Sequence, residues 1–400
     1  MRKVYLDYAA TTPVAPEVQK AMQPYWADLF GNPAAMHTFG QVGCQAVETA
    51  REKLARFFNF APEEVIFTSG ATESNNLALR GVAKAAQGFI PHIVTTPFEH
   101  HCLLDTAKDL LRGEAEVTFV NLKRDGLVDP KEVLKAIKPN TVLVSVMYVN
   151  NEIGTIAPLE AIAKIIKLEK SRRQKTAQAG KRIIPLYFHS DITQAVNYLP
   201  CDMKKLGVDL FSLSAHKIYG PKGVGALGVR QDVKIEKIQF GGSQEFNLRA
   251  GTLNVTGIVG MGAAIERIAK VKARDTQKIK KLRDYFWKQL QKSVKGIALN
   301  GSPEQRVANN LNVSFAGVEG ESMLLALDLA GVACSTGSAC SSETLEPSHV
   351  LLSIGLTHPE AHGSLRFTLG EGNTQADVSY AVREIKKAAE KLRKVSGYKS

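Results

Sequence analysis

From about residue 60 to 230 the hydrophobic positions fall in short β-branched runs separated by amphipathic stretches. The runs "EVIFTS", "HIVTTP", "EVTFV", "TVLVSVMYV", "IPLYFHSD" and "VDLFSLSA" read as strands. Between them, "ESNNLALRGVAKAAQ", "PKEVLKAIK" and "PLEAIAKIIKLEKSRR" carry apolar residues at helical spacing. This alternation predicts a mainly parallel sheet covered by helices on both faces. Ligands bind such sheets beyond the carboxyl ends of the strands, so chemistry is expected in the segments that follow each run. After "GGSQEFNLRAGTLN" the texture changes to one long helical stretch. A second mixed region follows, with strands at "NNLNVSF" and "SLRFTLG" and helices at 320–330 and 375–395. The domain boundary is expected near residue 260.

Composition narrows the class. The chain has 400 residues, 44% hydrophobic and 22% charged, which is the balance of a globular protein. No uninterrupted apolar run approaches the ~18 residues of a membrane span. The opening "MRKVYLDYAATTP" lacks the apolar core and cleavage site of a secretory signal, so a cytoplasmic protein is expected. Five scattered cysteines, Cys44, Cys102, Cys201, Cys334 and Cys340, form no CxxC pair, which favours reduced thiols and no metal site. The net charge of +12 is concentrated in "KLEKSRRQKTAQAGKR" and "REIKKAAEKLRK". No aromatic interleaving accompanies it, so solvated helical faces are expected and nucleic acid is not.

The strand ends hold the candidate chemistry. "FTSGATESNNLAL" is a strand, a Ser-Gly turn and a helix opening at Ala71 and Thr72. Free N–H groups there would seat a phosphate, although Thr72 or Ser74 alone reads equally as a helix cap. His100 in "TTPFEHHCLL" and the pair Asn150 and Asn151 in "VMYVNNEIG" could each be structural or turn residues. "YFHSDITQA" puts Asp191 at the end of an apolar strand, where a carboxylate needs a cation or hydrogen bonds. "SLSAHKIYGPKGVGAL" sets Ser214, His216 and Lys217 at the mouth of the sheet, followed by glycines that let the chain turn back. Together these residues supply a phosphate seat, a ring-stacking group, an acid for a pyridinium nitrogen and a lysine for a Schiff base. Those are the requirements of pyridoxal 5′-phosphate. In the second region Cys340 sits among Ser, Gly and Ala in "STGSACSS", a setting for a reactive thiol, whereas Cys334 reads as a small core residue. Arg366 in "GSLRFTLG" reads either as an edge ion pair or as a fork for a substrate carboxylate.

With "YLDYAATTP", "GNPAAMH", "FTSGATESNNLA", "VNNEIG", "SAHKIYGPKGVGAL", "RAGTLN", "VEGES", "STGSACSS" and "LEPSHVL", the chain resembles the cysteine desulfurases of iron–sulfur cluster assembly over nearly its whole length. These are class-V aminotransferases, fold-type I pyridoxal-phosphate enzymes. The resemblance implies a large α/β domain at 13–260, with a mainly parallel seven-stranded sheet. It also implies a smaller α/β domain from 1–12 and 261–400 that carries the reactive-cysteine loop. It makes Lys217 the Schiff-base lysine, Asp191 the pyridinium partner, Gln194 a ligand of the ring hydroxyl and His100 the stacking residue. Ala71, Thr72, Ser214 and His216 would hold the phosphate, joined by Thr252 from a second subunit of a homodimer. Asn151, Arg366 and Asn32 would orient the substrate L-cysteine. Cys340 would take its sulfur as a persulfide, for delivery to an acceptor or iron–sulfur scaffold protein, while alanine is released. The wording departs from the family at "FEHHC", with His101 and Cys102, at "FHSDITQ", in the basic insertion 170–182 and in the short ending "VSGYKS". A selenocysteine lyase or aminotransferase-like relative of the same fold, and a non-catalytic basic protein, are the rival readings.

Overall fold

The computed structural model describes residues 2–177, 183–336 and 346–398. A short strand, β1 (Val4–Tyr5), precedes the strand–helix alternation. The central strands are β2 (Val65–Thr68), β3 (His92–Thr95), β4 (Glu116–Phe119), β5 (Thr141–Ser145), β6 (Tyr187–Asp191), β7 (Leu210–Ser214) and β8 (Gly225–Val229). Among the described residues these seven form one sheet in the order β2-β8-β7-β6-β5-β3-β4. β8 is antiparallel to both neighbours and every other pairing is parallel.

The apolar runs are continuous rather than alternating because both faces are covered. Val65 and Phe67 enter one core while Ile66 and Leu227 enter a second across the sheet. Only β4, at an edge, keeps an exposed residue, Glu116. The glycines of β8 are needed for contact. A Cβ on Gly228 would stand 2.1 Å from the Phe211 ring, and one on Gly225 would stand 2.6 Å from Gly70 Cα.

One expected strand is shorter than its apolar run. Pairing as β5 stops at Ser145, although Val146–Val149 remain buried. There the Met147 N–H donates to the Glu99 carboxyl at 2.9 Å, while the Val146 and Tyr148 N–H groups still donate to the His189 and Asp191 carbonyls of β6 at 3.1 and 2.9 Å. Two helices that the spacing did not flag, Thr38–Phe58 and His101–Leu110, also pack on the sheet region.

The long helix is continuous over Val255–Ser293, 39 residues and so about 58 Å long. It leads to a second sheet made of β9 (Ile297–Leu299), β10 (Asn310–Phe315), β12 (Ser335–Thr336) and β13 (Ser364–Thr368). Its order is β12-β13-β10-β9, all antiparallel. The two-residue strand β11 (Val332–Ala333) pairs in parallel with β1, so the N-terminal segment is tied to the later half of the chain. No described helix is long and apolar enough to cross a membrane.

Candidate active site

The carboxyl ends of β2, β6 and β7 converge on a cavity of about 550 Å³, walled also by the His101 helix and by β13. β7 runs into a single tight turn, Ala215–Lys217, which delivers His216 and Lys217 to the cavity. Lys217 Nζ donates to the carbonyls of Ala9 and Ala10, 2.6 Å from each. The N-terminal segment thus forms the wall opposite the sheet.

Asp191 closes β6 and is 6% exposed. Its Oδ2 accepts from Asn75 Nδ2 at 2.8 Å and its Oδ1 from the Thr193 N–H at 3.0 Å. Both donors are neutral, so a cation brought into the cavity would gain from the buried carboxylate. Gln194, one turn on, lines the cavity and donates to the Ala9 carbonyl at 3.1 Å. Ala71 and Thr72 open the helix Ala71–Ala85 on the same wall, with Ser214 beside them. Their helix end offers unpaired N–H groups and the positive pole of its dipole.

His100 is the N-cap of the His101 helix, and its Nδ1 accepts from the Cys102 N–H at 3.2 Å. Burial holds its pKa below the ordinary imidazole value. Asp191 opposes that shift, while Lys217, His101 and Arg366 add to it. His216 is pushed down to about 4 by burial and by Lys217, Lys222 and His100, and its Nδ1 lies 3.1 Å from Thr11 Oγ1. Both rings are therefore neutral near pH 7.

Arg366 is 2% exposed within β13, opposite Asn312 on β10 and Ser335 on β12. It is at once an ion pair and part of the cavity wall. Nη2 meets Asp7 Oδ1 at 2.9 Å and Nη1 donates to the Asn151 carbonyl at 3.1 Å. Its Nε is buried without a partner, as are Asn151 Oδ1 and Thr193 Oγ1 in the same wall. The neighbouring asparagine is different. Asn150 is a turn residue, its Oδ1 accepting from the N–H groups of Glu152 and Ile153.

Two predicted residues lie elsewhere. Asn32 and Thr252 share a smaller cavity of about 240 Å³ with Arg51 and Glu245, apart from Lys217. Cys340 lies outside the described residues. Cys334 is half-buried against the main core, and burial raises its thiol pKa strongly.

Sequence reasoning missed several lining or adjoining groups. Glu152 lines the cavity and receives the Ser348 hydroxyl; burial pushes its carboxyl up to about 7. His349 lines it too, donating to the Glu99 carbonyl at 3.0 Å. Glu99, fully buried behind His100, is pushed up to about 8 by burial. Thr193 follows Asp191 in the wall. For the two acids the "NNE" and "FEH" runs offered the signal, since each sets a glutamate just beyond an apolar strand run, where chemistry is expected.

The donor set suits pyridoxal phosphate. An amine, a buried carboxylate with neutral partners, a neutral imidazole and a helix N-terminus face one space, and unpartnered polar atoms await a ligand.

The chain matches the model of the family "Aminotransferase class-V" over residues 4–380. It is 48% identical over 398 residues to the protein named cysteine desulfurase IscS of Dictyoglomus turgidum, covering 100% of this chain and 97% of that one. Among solved structures, a NifS-like protein superposes with TM-score 0.88 at 34% identity, covering 96% of this chain and 99% of that one. A structure described as "SspA in complex with cysteine" superposes with TM-score 0.79 at 34% identity, over 93% of this chain and 100% of that one. A match across almost every residue, on a fold whose strand ends gather a lysine, an aspartate and a helix N-terminus, has one consequence. The chain belongs to the class-V aminotransferase family.

Proposed function

We propose that this chain is a pyridoxal-phosphate-dependent cysteine desulfurase. It converts L-cysteine to L-alanine and leaves the sulfur as a persulfide on Cys340. The observation that carries this reading is the convergence of Lys217, Asp191, His100 and Arg366 on one cavity. It is supported by the full-length similarity to proteins named cysteine desulfurase.

Asp191 would hold the ring nitrogen of the cofactor, Gln194 its hydroxyl and His100 one face. Ala71, Thr72, Ser214 and His216 would hold its phosphate, with Thr252 contributed by a second copy. When bound, pyridoxal phosphate supplies a carbonyl that condenses with amines and a ring that withdraws electrons from the substrate carbon. Arg366 and Asn151 orient the substrate carboxylate through charge-assisted and neutral hydrogen bonds. Lys217 Nζ, steadied at the Ala9 and Ala10 carbonyls, moves the proton at the substrate Cα.

Cys340 reacts as the thiolate, the nucleophilic form of cysteine. A sulfur–sulfur bond forms to Cys340 and the substrate's carbon–sulfur bond breaks. The proton lost by Cys340 replaces sulfur on the carbon fragment. One cysteine and one enzyme thiol thereby become one alanine and one persulfide, with no external oxidant.

The sulfur then passes to an acceptor or iron–sulfur scaffold protein, and the working form is a homodimer. Exposed Trp26, Phe30, Met36 and Phe39, close in sequence to Asn32, give such a dimer an apolar surface to bury. Cys44, Cys102, Cys201 and Cys334 are all free thiols, which suits the reducing cytoplasm. The division into a large domain at 13–260 and a small one from 1–12 and 261–400 is supported by the β1–β11 pairing.

The test is incubation of the purified protein with L-cysteine and, separately, with L-selenocysteine, while alanine is measured. Alanine from cysteine at many turnovers per subunit is expected. Turnover confined to selenocysteine would overturn the reading in favour of a selenocysteine lyase.

A further inference from the structure

Cys102 stands in the wall of the cavity, at the first turn of the His101 helix, and the mechanism above gives it no task. The Thr72 hydroxyl also hydrogen-bonds its thiol, and the backbone beside it sets the direction of the bonds to His100. The backbone N–H of Cys102 reaches His100 Nδ1 at 3.2 Å, and a backbone N–H can only donate. Nδ1 is therefore an acceptor and carries no proton. The Cys102 Sγ lies 3.1 Å from the same Nδ1, so the thiol must also donate to it. Asn75 Nδ2 approaches Sγ at 3.2 Å and Asp191 Oδ2 at 2.8 Å, giving one amide hydrogen to each. The chain of bonds runs from Asn75 to Asp191 on one side, and from Asn75 through Cys102 to His100 on the other.

We infer that Cys102 is a positioning residue that locks His100 in its Nε2–H tautomer and couples it, through Asn75, to the carboxylate of Asp191. With Nδ1 doubly occupied by donors, the imidazole proton sits on Nε2. His100 then offers a hydrogen-bond donor at Nε2, and its basic Nδ1 lone pair is already taken by the Cys102 N–H and thiol. The thiol remains a thiol, since burial and then Asp191 push its pKa up to about 12, opposed by Asn75 and Thr72. It is accordingly a donor and not a sulfur acceptor. The groups facing His100 are Asp191 from β6, His216 and Lys217 beyond β7, His101 on its own helix, His349 and Arg366. Among them Asp191 alone favours the imidazolium.

The inference rests on the proposed placement of His100 over the cofactor ring. Its test reads the ring directly and stands whether or not the chain acts on cysteine. Full-length protein with bound pyridoxal phosphate, labelled with ¹⁵N-histidine, is titrated by NMR in the wild-type, Cys102→Val and Cys102→Ser forms. The His100 signals are identified by their loss in His100→Gln. In the wild type, His100 should show a proton on Nε2 and a bare Nδ1. Cys102→Val fills the site with an apolar side chain and removes the donor, so the His100 protonation midpoint should rise by about 0.5–1 pH unit. Cys102→Ser keeps a donor and should stay within about 0.3 of the wild-type midpoint. A wild-type Nδ1–H tautomer, an unmoved midpoint in Cys102→Val, or equal shifts in the Val and Ser forms would each overturn the assignment. If Cys102→Val does not fold, Cys102→Ala is titrated in its place with the same expectation.

Discussion

Replacing Glu99 by glutamine should change how stability depends on pH. Glu99 is fully buried, with Oε1 accepting from Thr96 Oγ1 at 2.7 Å and from the Met147 N–H at 2.9 Å, while Oε2 has no partner. Burial, with Asp191 adding to it, lifts the carboxyl from 4.5 to about 8, against the two hydrogen bonds. The folded value lies above the unfolded one. The stability this group contributes is thus fully present below about pH 4.5 and is lost as pH rises through about 8. The full loss is roughly 5 kcal/mol, at about 1.4 kcal/mol per pH unit. Spread over the unfolding entropy of 400 residues, that corresponds to about 6 °C in melting temperature. The amide of Glu99→Gln would keep the two acceptor bonds and cannot ionise. Part of the loss lies below pH 5, so the variant's melting temperature minus that of the wild type should climb by about 5 °C between pH 5 and 9. The subtraction removes the opposite trend of His92, His189, His216 and His349. Each is pushed down to about 4, mainly by burial, and each loses stability as pH falls from 6.5 toward 4. Scanning calorimetry at fixed scan rate and saturating cofactor gives the difference directly. A difference that is flat from pH 5 to 9 would show that Glu99 ionises freely, and would refute the assignment of a buried neutral acid behind His100.

Lys217→Ala should fold and lose the visible absorbance of the covalently held cofactor; an unchanged spectrum would move that link to another lysine. Arg366→Lys should raise KM for L-cysteine by about thirtyfold, or about 2 kcal/mol, with a smaller effect on kcat. Equal kinetic constants would leave Arg366 with only its Asp7 ion pair. Thr252→Ala should weaken pyridoxal phosphate about fivefold, the worth of one hydrogen bond, without dissociating the dimer on size-exclusion chromatography. A wild-type protein that is monomeric at micromolar concentration and still binds cofactor tightly would contradict the contribution from a second copy.

The central sheet was legible because its strands are buried on both faces, which leaves short runs without the usual alternation, β-branched in β2 and β5 and Leu/Phe-rich in β7. The residues at the strand ends could be placed for the same reason: Asp191 and Lys217 each follow such a run. The wall formed by Ala9 and Ala10 was not legible. It depends on bonds to Lys217 across 208 and 207 positions, and nothing local marks it. Nor was the support beneath Thr252. Glu245, Phe246 and Asn247 all adopt left-handed backbone, with φ of 44°, 55° and 64°. This conformation is costly for residues with side chains. Glu245 is held there by a buried pair with Arg51 at 2.7 Å, 194 positions away. The ambiguity at Arg366 could not be resolved from one strand, because the ion pair and the cavity wall belong to the same side chain. Glu99 and Glu152 stand among polar neighbours just beyond apolar strand runs, and only the packed structure shows both fully enclosed.

The proposed reaction is divided between Lys217, which works on carbon, and Cys340, which takes sulfur. Cys340→Ser tests that division most directly, because shape is nearly kept while the nucleophile is removed. The variant and the wild type are mixed with L-cysteine, alanine is measured, and the protein is examined by mass spectrometry for one added sulfur. Wild type should release alanine and carry the sulfur on Cys340. Cys340→Ser should still bind pyridoxal phosphate and respond spectrally to cysteine, yet release no alanine at a useful rate and carry no persulfide, whereas Cys334→Ser should behave nearly as wild type. Normal alanine release by Cys340→Ser, or an added sulfur mapped to Cys334 or Cys102, would contradict the account.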